Sequence, residues 1–360
     1  MVFKYGNTLT FFISPYLNFE EAECDKRITN KIKKTDRKKC KRYQCEETTE
    51  MISNGGRCNM QWPSQVKVKE VGPRDGLQNE PLFLPTEDKI AWINQLSKTG
   101  LTSIELTSFV HPKWIPSLSD AKEVARGITK EKDVVYTALV PNQKGLERAL
   151  EVNIDEIAVF TSVSETHSRK NTNQSISQSL SSVNVVVKEA IKEKKRVRGY
   201  MSTVFGCPYE GVINVEQVVR IAEALFEMGI GELSLGDTIG VANPKQVQEV
   251  LDVLLKRYPA EKLAMHFHDT RGIALANVLS SLGMGITTFD SSLGGLGGCP
   301  YAKGASGNLA TDDLVYMLNG MKIATGIDYN KLIHAASFIQ EKIGRDLQSH
   351  SMQVFNSQNE

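Results

Sequence analysis

Two histidines one residue apart, His266 and His268 in "LAMHFHD" (263–269), are the sharpest chemical signal in the chain. The run around them is β-rich. In a strand, residues i and i+2 project to the same side. Both imidazoles therefore share one face, and Phe267 takes the other. Paired imidazoles with a carboxylate in reach suit a divalent cation. With oxygen donors available and no thiolate set nearby, Mg2+ or Mn2+ is expected ahead of Co2+ or Zn2+. The competing reading is two histidines satisfied by buried hydrogen bonds.

Asp75, in "EVGPRDGLQNE" (70–80), supplies the carboxylate. Its neighbour Arg74 offers a planar, permanently charged group to a developing oxyanion. Adjacent residues are poorly placed to pair with each other, which favours that role over a salt bridge. Glu105 in "SIELTSF" (103–109), with Thr107 following it, reads equally as a structural partner for Arg74 or Arg198 and as an active-site acid. Asp237 closes "ELSLGD" (232–237), as a turn former or as a group that orients a ligand.

The stretch "GLGGCPYAKGASGN" (295–308) places Cys299 in a glycine-dense loop, which reads as a flap. No second cysteine lies near enough for a disulfide or a thiolate-rich zinc site. Beside a cation its thiol would ionise more readily, which suits a proton donor or acceptor. The alternative is a small residue filling a tight loop. Cys207, in "FGCPYEG", reads as mainly structural.

Elements must bring these distant residues together. Eight short β-rich runs begin at Val66, Ser103, Val134, Glu156, Arg196, Glu232, Leu263 and Thr287. Helical patterns separate them. Thr86 and Glu87 open one as its cap, Asn214 and Gly229 bound another, and Asn243–Pro244 starts a third. Serial βα units imply a parallel sheet, because each crossover needs a helix. Eight of them over about 280 residues match a (β/α)8 TIM barrel. An open doubly wound sheet would want a phosphate-binding glycine turn after its first strand, and "GPRDGLQ" is not one. In a barrel the chemistry sits at the C-terminal strand ends, where all these residues fall. The catalytic domain is expected over 63–345, with a disordered or leader extension over 1–62, extra C-terminal helices, and a tail over 346–360.

Bulk properties narrow the function. The chain has 360 residues and a net charge of +1, so no global field selects nucleic acid or an anionic membrane. No apolar run is long enough to span a bilayer. Six cysteines in this length do not make a disulfide scaffold, and free thiols in a reducing compartment are expected. The first sixty residues lack periodicity. Their basic run Lys31–Arg42 reads as a solvated tail in preference to a nucleic-acid patch, and Met60 is a possible start. The cytoplasm is the expected location, or the mitochondrial matrix if the extension is a cleaved leader.

Together, "EVGPRDGLQNE", "GCPYEG", "SLGDTIG", "HFHDT" and "GLGGCPYAKGASGNLATDDLVYML" resemble the 3-hydroxy-3-methylglutaryl-CoA lyase family over roughly 66–344. The resemblance implies divalent-metal ligands at Asp75, His266, His268 and Asn308. It implies that Arg74 contacts the thioester carbonyl and stabilises an enolate, and that Cys299 serves proton transfer. Glu105 and Asp237 match further active-site acids. An acyl-CoA substrate and a homodimer follow from the same likeness, with no nucleic-acid or membrane partner. Asn142, Lys170 and Asn171, placed on loops after the third and fourth strands, are candidates for CoA contacts. The pattern departs from the family at Pro81, where a lysine is usual, before Cys299 in "SLGGLGGCPY", and at Arg271. Two alternatives stay open: a lyase for a longer branched 3-hydroxy-acyl-CoA, and a Claisen-condensing acyl transferase on the same barrel.

Overall fold

The computed structural model describes residues 62–298 and 307–359. The expected disordered extension, its basic run and the Met60 start lie outside these residues, as does Cys299. Eight strands run β1 (Lys67–Glu70), β2 (Ser103–Ser108), β3 (Val135–Leu139), β4 (Glu156–Ser162), β5 (Arg196–Ser202), β6 (Glu232–Asp237), β7 (Leu263–Phe267) and β8 (Thr288–Ser291). All neighbouring pairs are parallel, and β8 returns to β1, closing the barrel in chain order.

The helices that make the crossovers are α1 (Thr86–Leu96), α2 (Ala121–Gly127), α3 (Gln143–Leu150), α4 (Glu165–Thr172), α5 (Ile176–Lys192), α6 (Val215–Met228), α7 (Pro244–Leu254) and α8 (Ala274–Gly283). Then follow α9 (Thr311–Gly320), α10 (Tyr329–Ile343) and α11 (His350–Asn359). Among the described residues, no helix is long and apolar enough to cross a membrane.

Local sequence explains most boundaries. Asn243 and Gln246 form a capping box on α7, with Pro244 at its first position. Asn214 caps α6, and Gly229 ends it at φ 107°. Thr86 is different: it is the first helical residue of α1, behind Pro85, and provides no cap. Its hydroxyl donates instead to Asp120 (2.8 Å), the carboxylate that also receives Lys89. A buried carboxylate from the start of α2 thus claims the hydroxyl that sits beside the start of α1.

Outward-facing strand residues such as Ile104, Tyr136, Ile157, Leu233, Met265, Phe267 and Phe289 pack with the helices in one continuous apolar layer. The barrel interior is chemically unlike it. Lys69 pairs with Glu156 (3.3 Å) and Glu232 (2.8 Å), Glu232 with Arg198 (3.0 Å), and Arg198 with Asp290 (2.9 Å). A small inner apolar group, Leu139, Ala158 and Tyr200 with Phe160 against it, fills part of the remaining space. Buried ion pairs add little net stability over apolar packing, but removing one member strands the other. This interior is therefore organised for position and field.

One strand is bulged. Between Glu105 and Thr107 the register of β2 against β3 slips, so Thr107 pairs with Ala138 and Ser108 with Leu139. Ala138 belongs to the outer core and Leu139 to the inner group. Thr107 therefore follows the outer face, not the face of Glu105, and Ser108 is turned inward. Simple alternation fails here because the bulge adds one residue.

The expected tail, 346–360, is largely helix α11. Met352 is buried in the core, and Ser349 and Ser351 donate to Asp312 and Asp313 at the start of α9. Two serine hydroxyls and one methionine dock a segment whose composition is otherwise polar.

Candidate active site at the C-terminal mouth of the barrel

After β1 the chain makes one π-helical turn, Gly72–Gly76, opened by Pro73. The Val71 carbonyl accepts from the amides of Arg74 (3.1 Å), Asp75 (2.7 Å) and Gly76 (3.3 Å). This tight winding brings the Arg74 and Asp75 side chains together, and a guanidinium nitrogen of Arg74 pairs with Asp75 Oδ1. The expectation that adjacent residues would not pair is corrected by the turn. Arg74 Nε also donates to Glu105 Oε2 (2.7 Å), and the Tyr200 hydroxyl donates to the same oxygen (3.1 Å). The guanidinium stands 5.3 Å from the centre of the Tyr200 ring. Arg74 is thus held on three sides and 6% exposed, with its charge directed at the mouth. Burial raises the Glu105 carboxyl above the ordinary range, although Arg74 opposes the shift. Of its two candidate cationic partners, Glu105 takes Arg74 by direct contact.

His266 and His268 stand over Asp75. Their Nε2 atoms lie 3.8 and 3.9 Å from Asp75 Oδ2, and their ring centres are 5.3 Å apart. One ligand atom from each of the three residues falls within 4.8 Å of the others. Asn308 joins them, its Nδ2 donating to Asp75 Oδ2 (2.9 Å) and to the Leu296 carbonyl (3.0 Å). Its Oδ1 is buried without a hydrogen-bond partner. Burial works against ionising Asp75, yet Arg74 and the two imidazoles outweigh it and hold the carboxyl down to about 2. Burial, then the neighbouring imidazole, pushes His268 down to about 4. An ionised carboxylate, a neutral imidazole and an unpartnered amide oxygen are the protonation and bonding states a divalent cation requires of its ligands. The residues present fit such an ion.

Support behind the ligands comes from Asp290, which the sequence reading missed. Its Oδ2 faces His266 Nδ1 at 3.5 Å and accepts from Ser234 Oγ (2.6 Å), while Oδ1 accepts from Arg198 (2.9 Å). A carboxylate behind a ligating imidazole fixes the ring and raises its donor strength. Its signal was available: β8 must neighbour β7 in a closed barrel, and Asp290 pairs with His266 in register. Tyr200 was also missed, since its role depends on where Arg74 lies.

The remaining candidates are placed less centrally. Asp237 spends both oxygens on the backbone amides of Val241 (3.0 Å) and Ala242 (2.9 Å), the turn-forming alternative. It lies outside the group around Asp75. Asn142 caps α3 through Gly145 (3.0 Å). Lys170 and Asn171 are on helix α4, not on a loop as expected, because Ser164 caps that segment and Asn173 closes it in a left-handed conformation. Lys170 stands 4.7 Å from the Tyr209 ring centre. Cys207 is buried with its thiol donating to Ser164 Oγ (3.0 Å), which matches a structural role.

The glycine-dense segment borders the site where it is described. At Gly297, φ is 109°, and a Cβ would sit 2.6 Å from Asn308 Nδ2. At Gly307 a Cβ would meet the Gly295 carbonyl oxygen at 1.7 Å. Side chains are excluded from both positions because the two flanks of the segment touch each other and the cluster.

A parallel barrel whose mouth gathers a carboxylate, two imidazoles and an amide oxygen, with a clamped arginine beside them, defines a metal-dependent TIM-barrel enzyme. Within that class the chain belongs to the HMGL-like family, whose model matches residues 65–339. It is 62% identical over 298 residues to the hydroxymethylglutaryl-CoA lyase YngG of Bacillus subtilis, spanning 83% of this chain and 100% of that one. Superposition on the crystal structure of a B. subtilis HMG-CoA lyase gives a TM-score of 0.81 at 62% identity, over 82% of this chain and 99% of that one. An HMG-CoA lyase from Acinetobacter baumannii, solved in complex with coenzyme A and 3-methylmalate, gives 0.77 at 44% identity, over 80% and 94%.

Proposed function

We propose that the chain cleaves 3-hydroxy-3-methylglutaryl-CoA to acetoacetate and acetyl-CoA. The carrying observation is the convergence of Arg74, Asp75, His266, His268 and Asn308 at one mouth. Asp75, the two histidines and Asn308 would hold a divalent cation, Mg2+ or Mn2+ by donor type, which supplies a Lewis acid and a template for oxygen-rich substrates. The acyl-CoA substrate is supported by the family and by the coenzyme A bound to the Acinetobacter relative.

The reaction needs a base for the tertiary hydroxyl proton, a site for negative charge, and a proton for carbon. Asp75, whose carboxylate keeps lone pairs beyond the one given to a cation, accepts that proton, because His266 has none to spare with Nε2 turned to the cation's place and Nδ1 facing Asp290. As the C2–C3 bond breaks, its electron pair passes to the thioester and forms the enolate of acetyl-CoA, while the hydroxyl carbon becomes the ketone of acetoacetate. Arg74, immobilised by Glu105 and Tyr200, stabilises the enolate oxygen without reorganising. Cys299 donates the proton that completes the acetyl methyl group. Its support is the sequence position and the two described flanks that border Asp75 and Asn308. Glu105 acts through Arg74, and Asp237 shapes the β6 loop.

The test is acetoacetate release from HMG-CoA by chelator-treated protein with and without added Mg2+ or Mn2+, beside His268→Ala. Metal-dependent release that collapses in the variant is the expected result. Metal-loaded, folded wild type that releases none would refute the reading.

A further inference from the structure

Glu70 ends β1 and is fully buried, one residue out of phase with the inward-facing Lys69. It touches none of the groups assigned to the reaction. Its carboxylate nevertheless joins three chain segments. Oε1 accepts from the Gly72 amide (2.7 Å), the first residue of the turn that carries Arg74 and Asp75. The same oxygen accepts from Leu293 (2.9 Å), where the chain leaves the barrel for the glycine-dense segment. Oε2 accepts from Thr311 Oγ1 (2.6 Å), three residues after Asn308. Backbone bonds tie these points together, since Ser292 donates to Leu309 (2.9 Å) and Leu309 to Phe267 (2.9 Å), between the two histidines.

We propose that Glu70 is a positioning residue, a splint that fixes the Arg74–Asp75 turn against the segments flanking Asn308 and so sets the separation of Asp75 from Asn308. The inference rests on the metal site of the proposed function and assigns that site a support outside the ligand set. What the splint requires is reach. A glutamine has it: its carbonyl oxygen accepts from both amides, and its NH2 donates to Thr311 Oγ1. The Thr311 proton then turns to Ser291 Oγ, already 2.8 Å away. An aspartate keeps the charge but is shorter by one carbon–carbon bond, about 1.5 Å, which carries contacts of 2.6–2.9 Å out of hydrogen-bond range.

The experiment compares wild type, Glu70→Gln and Glu70→Asp by Mn2+ binding to chelator-treated protein, by kcat and KM on HMG-CoA, and by thermal unfolding. Glu70→Gln is expected within threefold of wild type in Mn2+ affinity and kcat. Glu70→Asp is expected to lose tenfold or more in both, with KM changed less. A carboxylate that merely stabilised the fold would lower Tm in Glu70→Asp and leave the Mn2+ affinity of folded protein intact. Weakening below threefold in Glu70→Asp, or equal losses in both variants, overturns the proposal. If Glu70→Asp does not fold, Thr311→Val removes the Oε2 bond, and the Ser291 contact with it, and leaves both Oε1 bonds in place. It should weaken Mn2+ binding threefold, and unchanged affinity would overturn the splint. Mn2+ binding is read without substrate, so a chain that bound Mn2+ as described but left HMG-CoA uncleaved would refute the activity and not the splint.

Discussion

Replacing Asp290 by asparagine keeps the shape of a fully buried side chain and removes its charge. Burial alone would favour a protonated carboxyl, but Arg198, His266 and Ser234 hold it well below the usual range, so the native group is an anion. Two costs follow. Arg198 loses one of two carboxylate partners, keeping Glu232 at 3.0 Å. Breaking a buried pair costs ~3–5 kcal/mol, and the surviving partner puts this case near ~3. For a folded region of this size, roughly 2 °C in Tm per kcal/mol gives a fall of about 6 °C without metal. His266 loses the carboxylate facing its Nδ1 at 3.5 Å. Loss of such a partner weakens metal binding about 10- to 100-fold. Calorimetric titration of Mn2+ into chelator-treated protein, with thermal unfolding in parallel, reads both. A Tm fall with unchanged Mn2+ affinity would refute the link from Asp290 to the ligand histidine. Unchanged values for both would refute the buried pair itself.

Other outcomes are equally specific. Arg74→Lys keeps a positive charge but cannot reproduce the fork onto Glu105 and Asp75. It should lower kcat about 10²- to 10³-fold, as for loss of an oxyanion donor, with a smaller change in KM under steady-state assay. Burial pushes Glu70 up to about 7 from 4.5. Between those values the unfolded chain releases its proton first, so this carboxyl makes stability fall as pH rises through that window. The advantage of Glu70→Gln over wild type in denaturant unfolding should therefore grow from about pH 5 to about pH 8, and a constant gap would contradict it. His268 has the opposite slope, losing stability as pH falls from 6.5 towards 4, and cancels in that comparison. Cys299→Ala should depress kcat about 10²- to 10⁴-fold while Mn2+ affinity stays at the wild-type value. Full turnover would make the cysteine a loop filler.

The paired histidines were legible because strand alternation is local and continues in the extended chain one residue past β7 to His268. The barrel was legible because eight βα units leave few other ways to bury parallel strands. Helix starts were legible where the cap is local, as at Asn214 and Asn243, and misread at Thr86, where Asp120 from another unit claims the hydroxyl. Alternation alone would set Thr107 on the face of Glu105, and the bulge that moves it has no local signature in that run. Lys170 and Asn171 carry no helical signal of their own because α4 is short and polar, and stands by its Ser164 cap and its closure at Asn173. Asp290 was invisible for another reason. A lone acid inside a β-rich run gains meaning only when β8 is laid beside β7 and Arg198 is found across the barrel.

The charged interior, from Lys69 and Glu232 through Arg198 and Asp290 to His266, separates two traits that many enzymes must change together. On the proposed function, part of the field on the cation's ligands comes from inside the barrel, below the mouth at which an acyl chain would be recognised. Substitutions inside the barrel can retune metal preference while the mouth stays fixed, and loops can diversify above an unaltered field. In a lineage built on this barrel, cofactor chemistry and substrate choice are thus separately heritable.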